Sequence, residues 1–480
     1  MGVRPGCRLL QYGKDLNQAM STTSDVSTVS LRQIASEVLD RAMQAGVTDA
    51  EAVAYEGEEF STLVRLGQVE MLKESGSRAI GLRVFHGLRA ASTSSSDLSR
   101  EGLEKLVSGA VALAKITSED PFVGLPDASE FGQVEGDLGL YFEDVNEQPP
   151  AERIEIARRA EAAAMAYDMR IQNSGGGDFD TATSHKVMVN SRGFVGEYRR
   201  SYCGFGVGPI AQDDAGKMQR NYWYSSSRTA RKLESPEEIG VIAAQRALRR
   251  LGAKPVKTQR VPVVFSPEIA RSIMGNMFEA ANADSIYRHA TFFDGMLGER
   301  VAGDNITVID DGTMVFDGIG GFGTSPFDGE GLPTRRTVLV ERGILKSYVS
   351  NTYTARKLGI TSTGNASRGL AGNPGIGAGN FFLEPGECTP EQLIGDVKQG
   401  LYVTETMGFG VNMVTGDYSQ GASGLWIENG ELAYPVEEIT IAGNLKDMYR
   451  NISAIANDLV FRSASAAPTI RVEGMTIAGL

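Results

Sequence analysis

Apolar residues return every three or four positions from Ser30 onward, at Leu31, Ile34, Ala35, Val38, Leu39, Ala42 and Met43. That spacing lines them along one face of a helix. Ser30 with Gln33 forms a capping box at its start, and Gly46 stands where a C-terminal glycine belongs. The period then changes: strands are predicted around 52–55, 62–66 and 79–85, the last running into the Phe85-His86-Gly87 turn. A second helix is predicted over 99–115, where Leu103, Leu106, Val107, Ala110 and Val111 share one side. A third, alanine-rich helix follows the Pro149-Pro150 signal and runs to about Tyr167. Strand patterns at 186–190 and 194–202 flank the turn Ser191-Arg192-Gly193, another covers 219–227, and a helix is predicted over 236–251.

Beyond Lys254-Pro255 both periodicities restart. A strand leads into Ser266-Pro267-Glu268, from which a helix is predicted to about Ser285. Further on, 337–340 and 344–350 read as a hairpin across Glu341-Arg342-Gly343, and 424–428 and 431–434 as a hairpin across Asn429-Gly430. Between these hairpins lies a loop at 359–379, rich in Gly, Ser, Thr and Asn. Loops this long usually have a function or move.

Few parallel strand–helix–strand units are legible, so the predicted class is α+β. The expected layout is an N-terminal domain over 30–253, with helices on a mixed sheet, and a β-rich, antiparallel C-terminal domain over 254–480. Residues 1–29 read as a disordered extension: Arg4, Arg8 and Lys14 are present without an apolar core of secretory length.

Charge narrows the function classes. Lys and Arg total 47 against 60 Asp and Glu, a net of −13, which opposes binding to a phosphate backbone. No apolar run approaches the roughly 20 residues of a membrane helix. Neither nucleic acid nor membrane is therefore expected as a partner. Three scattered cysteines (Cys7, Cys203, Cys388) without a CxxC pair point to a reduced, cytoplasmic setting, with Cys203 and Cys388 as packing residues or inert thiols.

Candidate chemistry is sparse. His86, His185 and His289 are the only histidines and stand at no ligand spacing, so the default is exposed or hydrogen-bonded side chains. Gly421-Ala422-Ser423-Gly424 lacks the strand-to-helix context of a nucleophile elbow. The glycine clusters at 204–208 and 318–323 have no Walker lysine. Asp213-Asp214, Asp310-Asp311 and Glu437-Glu438 read as solvated turns rather than cation ligands.

Several segments of the second half carry a family likeness. They are Ser325-Pro326-Phe327-Asp328-Gly329-Glu330-Gly331; Thr352–Gly359 with Ser362-Thr363-Gly364-Asn365-Ala366; Thr415–Gly424; and Tyr434–Met448, which contains Ile439-Thr440-Ile441-Ala442-Gly443-Asn444. From about residue 255 onward the chain resembles the TldD/PmbA family, once named modulators of DNA gyrase, and more specifically its PmbA/TldE branch. The resemblance implies one subunit of a heterodimeric zinc metalloprotease acting on unfolded or flexible peptides. In that family a TldD-like subunit carries a His-Glu-x-x-x-His motif and a C-terminal cysteine ligand, and the PmbA/TldE subunit carries neither. Here the motif would fall near Met274, Gly275 and Glu279, and Ser463 and Ser465 stand in the region of the cysteine. Thioether and glycine are unsuited to a zinc site.

The resemblance thus implies no catalytic residue and no cofactor bound by this chain, with zinc in the TldD-like partner; whether the chain alone forms a homodimer stays open. The segment Gly416, Asp417, Tyr418, Ser419, Gly421 and Ser423, together with Asn365, is expected to line or border a peptide or partner cleft. Two alternatives stay open: a stand-alone homodimeric metallopeptidase or hydrolase with an unrecognised metal site, and a non-enzymatic binding or regulatory protein.

Overall fold

The computed structural model describes residues 30–479; the extension expected over 1–29 lies outside them. The first half is one antiparallel sheet. β1 (Asp49–Arg65), β2 (Gln68–His86), β3 (Arg89–Ser95), β4 (Ile171–Asn190), β5 (Val195–Gln212) and β6 (Met218–Arg220) take the order β3-β2-β1-β4-β5-β6, and β7 (Trp223–Ser227) also pairs with β5. The two strands predicted at 52–55 and 62–66 are one. The polar stretch Glu56–Glu59 that separates them in sequence keeps full register with β2, because its side chains face water while the backbone ladder continues.

Period two assigns the two faces of this sheet. Ala52, Ala54, Val187 and Val189 pack under the helices Leu31–Gln44 and Arg100–Ile116. The intervening Val53 and Met188 point the other way, onto Phe194 and Phe327. At the far end of the same sheet Phe60, Phe179 and Phe205 meet the helices Pro150–Ala166 and Pro236–Leu248. One face is therefore roofed by helices and the other is left for the C-terminal half. The predicted helices start where the caps place them. Ser30 accepts from Gln33 N–H in a complete capping box, and Gly46 has φ of 81°.

The second half begins with β8 (Gln259–Phe265), the helix Pro267–Ala280, a short helix Ala283–Tyr287, and β9 (Val308–Asp311). Two-residue strands β10 (Val315–Phe316) and β11 (Ile319–Gly320) form a hairpin, followed by β12 (Arg336–Glu341), β13 (Ile344–Leu345) and the helix Thr352–Leu358. The loop at 359–379 carries a small hairpin of its own, β14 (Ala366–Ser367) with β15 (Gly375–Ile376). Then come β16 (Asn380–Leu383), β17 (Gln399–Met407), β18 (Asp417–Glu428), β19 (Glu431–Asn444), β20 (Ile452–Ile455), β21 (Ser465–Ala466) and β22 (Ile470–Ala478).

Five of these strands close on themselves: β19-β18-β17-β8-β22 is completed by the β19–β22 pairing into a barrel, with β20 attached to β22. A second sheet runs β13-β12-β9-β16-β21. The α+β class holds, but the strand pairing is distributed differently from the sequence expectation. The N-terminal sheet is antiparallel throughout, and the parallel pairs, β8 with β17 and β16 with β21, lie in the C-terminal half. Long helical crossovers at 267–280 and beyond separate β8 from β17, which is what a parallel pair requires.

Candidate functional site

The helix Pro267–Ala280 packs its Ile273, Met274 and Met277 into the apolar core beside Trp426, Leu401 and Val403. Met274 is fully buried, whereas Glu279 is exposed. Five residues turn a helix by about 140°, so the two positions face opposite directions. Ser463 does approach this helix, but it accepts a hydrogen bond from Arg271 Nη1 at 2.8 Å. A core thioether, a glycine and an outward carboxylate do not form a zinc donor set. Among the described residues no cluster of three His, Cys, Asp or Glu side chains has metal-binding geometry.

A polar cavity of about 300 Å³ lies in the seam between the halves. From the N-terminal sheet it receives Lys186, Tyr198 and Arg200, which alternate onto the face away from the helices. From the C-terminal half come Asp310, Asp328, Asn365, Arg335 and Arg368, with Ala464 next to Ser463. Asp310, expected in a solvated turn, is instead buried on β9. Its Oδ2 accepts from Asn365 Nδ2 at 2.6 Å. Burial pushes its carboxyl up to about 6, although Asn365 and the Gly379 N–H favour the charged form. The pair Asp310-Asp311 offered no hint of this, because a central strand with buried acids breaks the apolar pattern.

The segment 325–331 joins the halves. Phe327 meets Phe194 edge-on at 5.1 Å and Tyr198 at 5.2 Å between ring centres. Asp328 accepts from three backbone N–H groups, of Glu330 (2.8 Å), Leu332 (3.1 Å) and Ala366 (3.0 Å), so it ties this turn to the 366–376 hairpin. Burial, with Glu330 next to it, nevertheless raises the Asp328 carboxyl. Glu330 accepts from the Thr352 N–H at the first turn of the Thr352–Leu358 helix.

The 359–379 loop straps the C-terminal half to the N-terminal sheet. Arg368, its side chain wholly buried, pairs with Glu51 on β1, which also accepts from Arg83 of β2 at 3.1 Å. Gly81 lies so close that an added Cβ would stand 1.7 Å from the Leu370 carbonyl oxygen. Ser92 Oγ donates to the Gly372 carbonyl at 3.1 Å. Asn365 therefore lines the seam cavity, but the other predicted cleft residues do not meet it there.

Those residues sit on or just before β18. Gly416 has φ of 85° and donates to the Asn412 carbonyl; Asp417 accepts from Thr415 and Asn444. Tyr418 is buried in the barrel core, and Ser419 N–H pairs with Gly410 at 2.6 Å. Gly421 pairs with Met407 and Thr440 across the barrel wall. Ser423 donates to Glu405 at 3.3 Å beside Arg250, which is itself paired with Glu405. Next to them Met407, Phe409 and Val414 expose apolar surface, Phe409 completely.

The histidines stay apart. His185 lies 3.4 Å from Glu56 and His289 2.6 Å from Asp294, while His86 ends β2. Cys203 is buried, its thiol pushed up to about 12 by burial, and Cys388 donates to the Ile455 carbonyl. Gly320 and Gly321 offer carbonyls to buried Arg228 rather than N–H groups to a nucleotide. Asp213 begins an exposed turn, but Glu437 bonds Lys217 and Gln219 instead of lying free.

With two layered halves and a closed barrel, the chain has the make-up of a metallopeptidase-type fold. Sequence models of the PmbA/TldA metallopeptidase domain 1, central domain and C-terminal domain match residues 50–114, 143–251 and 258–479. The chain belongs to the PmbA/TldD metallopeptidase family, in its PmbA/TldE branch. It is 37% identical over 464 residues to metalloprotease PmbA of Escherichia coli O157:H7, covering 96% of this chain and 99% of that protein. A PmbA homolog of Haemophilus influenzae is 36% identical, with 94% and 96% covered. Among solved structures, a putative modulator of DNA gyrase from Bacteroides thetaiotaomicron superposes with a TM-score of 0.86 at 27% identity, covering 94% of this chain and 99% of that one. TldE from Thermococcus kodakarensis shares the fold, with a TM-score of 0.83 at 21% identity and 93% and 100% covered.

Proposed function

We propose that this chain is the non-catalytic, TldE-type subunit of a two-subunit zinc metalloprotease that processes unfolded or flexible peptides in the cytoplasm. The catalytic zinc then belongs to a partner bearing His-Glu-x-x-x-His, and this chain completes the cleft around it. The observation that carries this reading is the helix at 267–280. Met274 is sunk in the core, and Arg271 and Ser463 bond each other where a further donor would be needed. The wholly exposed Phe409, with Met407 and Val414 beside it, supports a face covered by another subunit. The two-residue edge strand β21, next to the seam cavity, supports recognition of an extended peptide by its backbone.

A second reading, a stand-alone homodimeric metallopeptidase, draws on the relatives named metalloproteases. A regulatory binding role fits the name of the Bacteroides protein, a putative modulator of DNA gyrase, but the net charge of −13 disfavours DNA itself. One assay separates these readings: hydrolysis of an unfolded peptide by this chain alone, by a TldD-like partner alone, and by the mixture, with zinc quantified in each. Turnover is expected in the mixture, with the zinc in the partner. Chelator-sensitive turnover by this chain alone would overturn the reading.

A further inference from the structure

The seam cavity gathers basic side chains alongside its two acids, Asp310 and Asp328. Lys186, Arg200 and Arg335 all line it, and among the described residues none of the three forms an ion pair. Arg200 spends one N–H on the Thr324 carbonyl and lays its guanidinium over the Tyr198 ring, while its buried Nε has no acceptor. Behind it Arg228, buried, gives its donors to the carbonyls of Gly320, Gly321, Phe322 and Ser201 and meets no carboxylate. Of the acids lining the cavity, Asp328 accepts from three backbone N–H groups, and Asp310 gives Oδ2 to Asn365 while its buried Oδ1 has no hydrogen-bond donor. In a chain with an excess of acidic residues, this grouping of unpaired cations is not a by-product of composition.

A buried guanidinium donor without an acceptor is destabilising, and an oxyanion is the group that relieves it. The Tyr198 phenol registers the same field. Burial alone would raise it, but Arg200, Lys186 and Arg228 hold it below its ordinary value. The other walls suit more than a small ion. Phe322, Phe327 and Tyr198 provide apolar surface, Asn365 keeps a buried Oδ1 without a donor, and Gly377–Gly379 present bare backbone. A volume of about 300 Å³ exceeds what one inorganic anion fills.

We propose that the seam cavity is a receptor for the free C-terminal carboxylate of a short peptide, with Lys186, Arg200 and Arg335 on the carboxylate and Asn365 on a peptide N–H. The proposal rests on the reading above only in taking a peptide as the ligand, and it places the peptide end beside Ala464, next to the Arg271–Ser463 contact.

The test is calorimetric titration of this chain alone with Gly-Gly-Phe as the free acid, with its C-terminal amide, and with inorganic phosphate. The free acid is expected to bind roughly tenfold or more tighter than the amide and than phosphate. Lys186→Met with Arg200→Met should abolish the acid–amide difference. Arg335→Gln, on an exposed side chain that leaves folding intact, should narrow it. Equal binding of acid and amide, phosphate binding as tightly as the acid, or an unchanged ratio in both variants would overturn the proposal. Hydrolysis takes no part in this titration, so its failure and the failure of the two-subunit reading are separately visible.

Discussion

Arg271 donates a hydrogen bond to Ser463 across 2.8 Å, joining the motif helix to the C-terminal segment through two side chains that are not metal donors. Met274, on the same helix, is buried in the core. Re-creating zinc binding by substitution should accordingly fail. In the double variant Met274→His/Glu279→His the first imidazole enters an apolar core and the second faces solvent. The expected outcome is a loss of stability on the order of 2 kcal/mol or more without stoichiometric zinc, checked by metal analysis and denaturant melts. One tightly held zinc per chain would contradict the geometry.

Glu51 is the hinge of the buried Arg83–Glu51–Arg368 group. Removing the carboxylate leaves two guanidiniums facing each other, whereas Arg368→Met leaves one intact pair. Glu51→Ala is therefore expected to cost about 3–5 kcal/mol, and more than Arg368→Met. Urea titrations of both variants check the order, and a reversed ranking would refute it.

Gly81→Ala tests the strap between the halves. The new methyl would collide with the Leu370 carbonyl, a backbone atom that cannot rotate away. The 366–376 hairpin should lift from the sheet, appearing as faster proteolysis within 368–374 while the barrel stays protected. Unchanged cleavage would show that the contact has slack.

Asp310 makes stability depend on pH with a definite sign. Its folded carboxyl titrates at about 6, above its ordinary value of 3.8, so the native state binds the proton more tightly than the unfolded chain. That stability is fully present below about pH 4 and is lost as pH rises through 6, by on the order of 2–3 kcal/mol. Asp328 shifts in the same direction. Asp310→Asn, which keeps an oxygen for Asn365, should flatten this decline when unfolding free energies are compared between pH 4.5 and 7.5. A decline of the same size in the variant would assign it elsewhere.

Local structure was legible wherever a short-range rule governs it. The capping box at Ser30 and Gln33, the Asn429-Gly430 hairpin and the missing histidines of the 273–279 stretch need only neighbours in the chain, and the structure places the first two elements as expected. The strand break read at 56–59 went the other way, because outward-facing polar residues do not interrupt a ladder held by backbone hydrogen bonds.

The sequence by itself determined the α+β class, the family likeness and the lack of histidine in the 273–279 stretch, since each depends on residue type and spacing alone. Tertiary structure decided the rest. It buried Asp310, closed the barrel through β19 and β22, and brought Lys186 and Arg200 from one half against Arg335 and Asn365 of the other. These residues lie more than a hundred positions apart, and only packing the two halves face to face makes them neighbours.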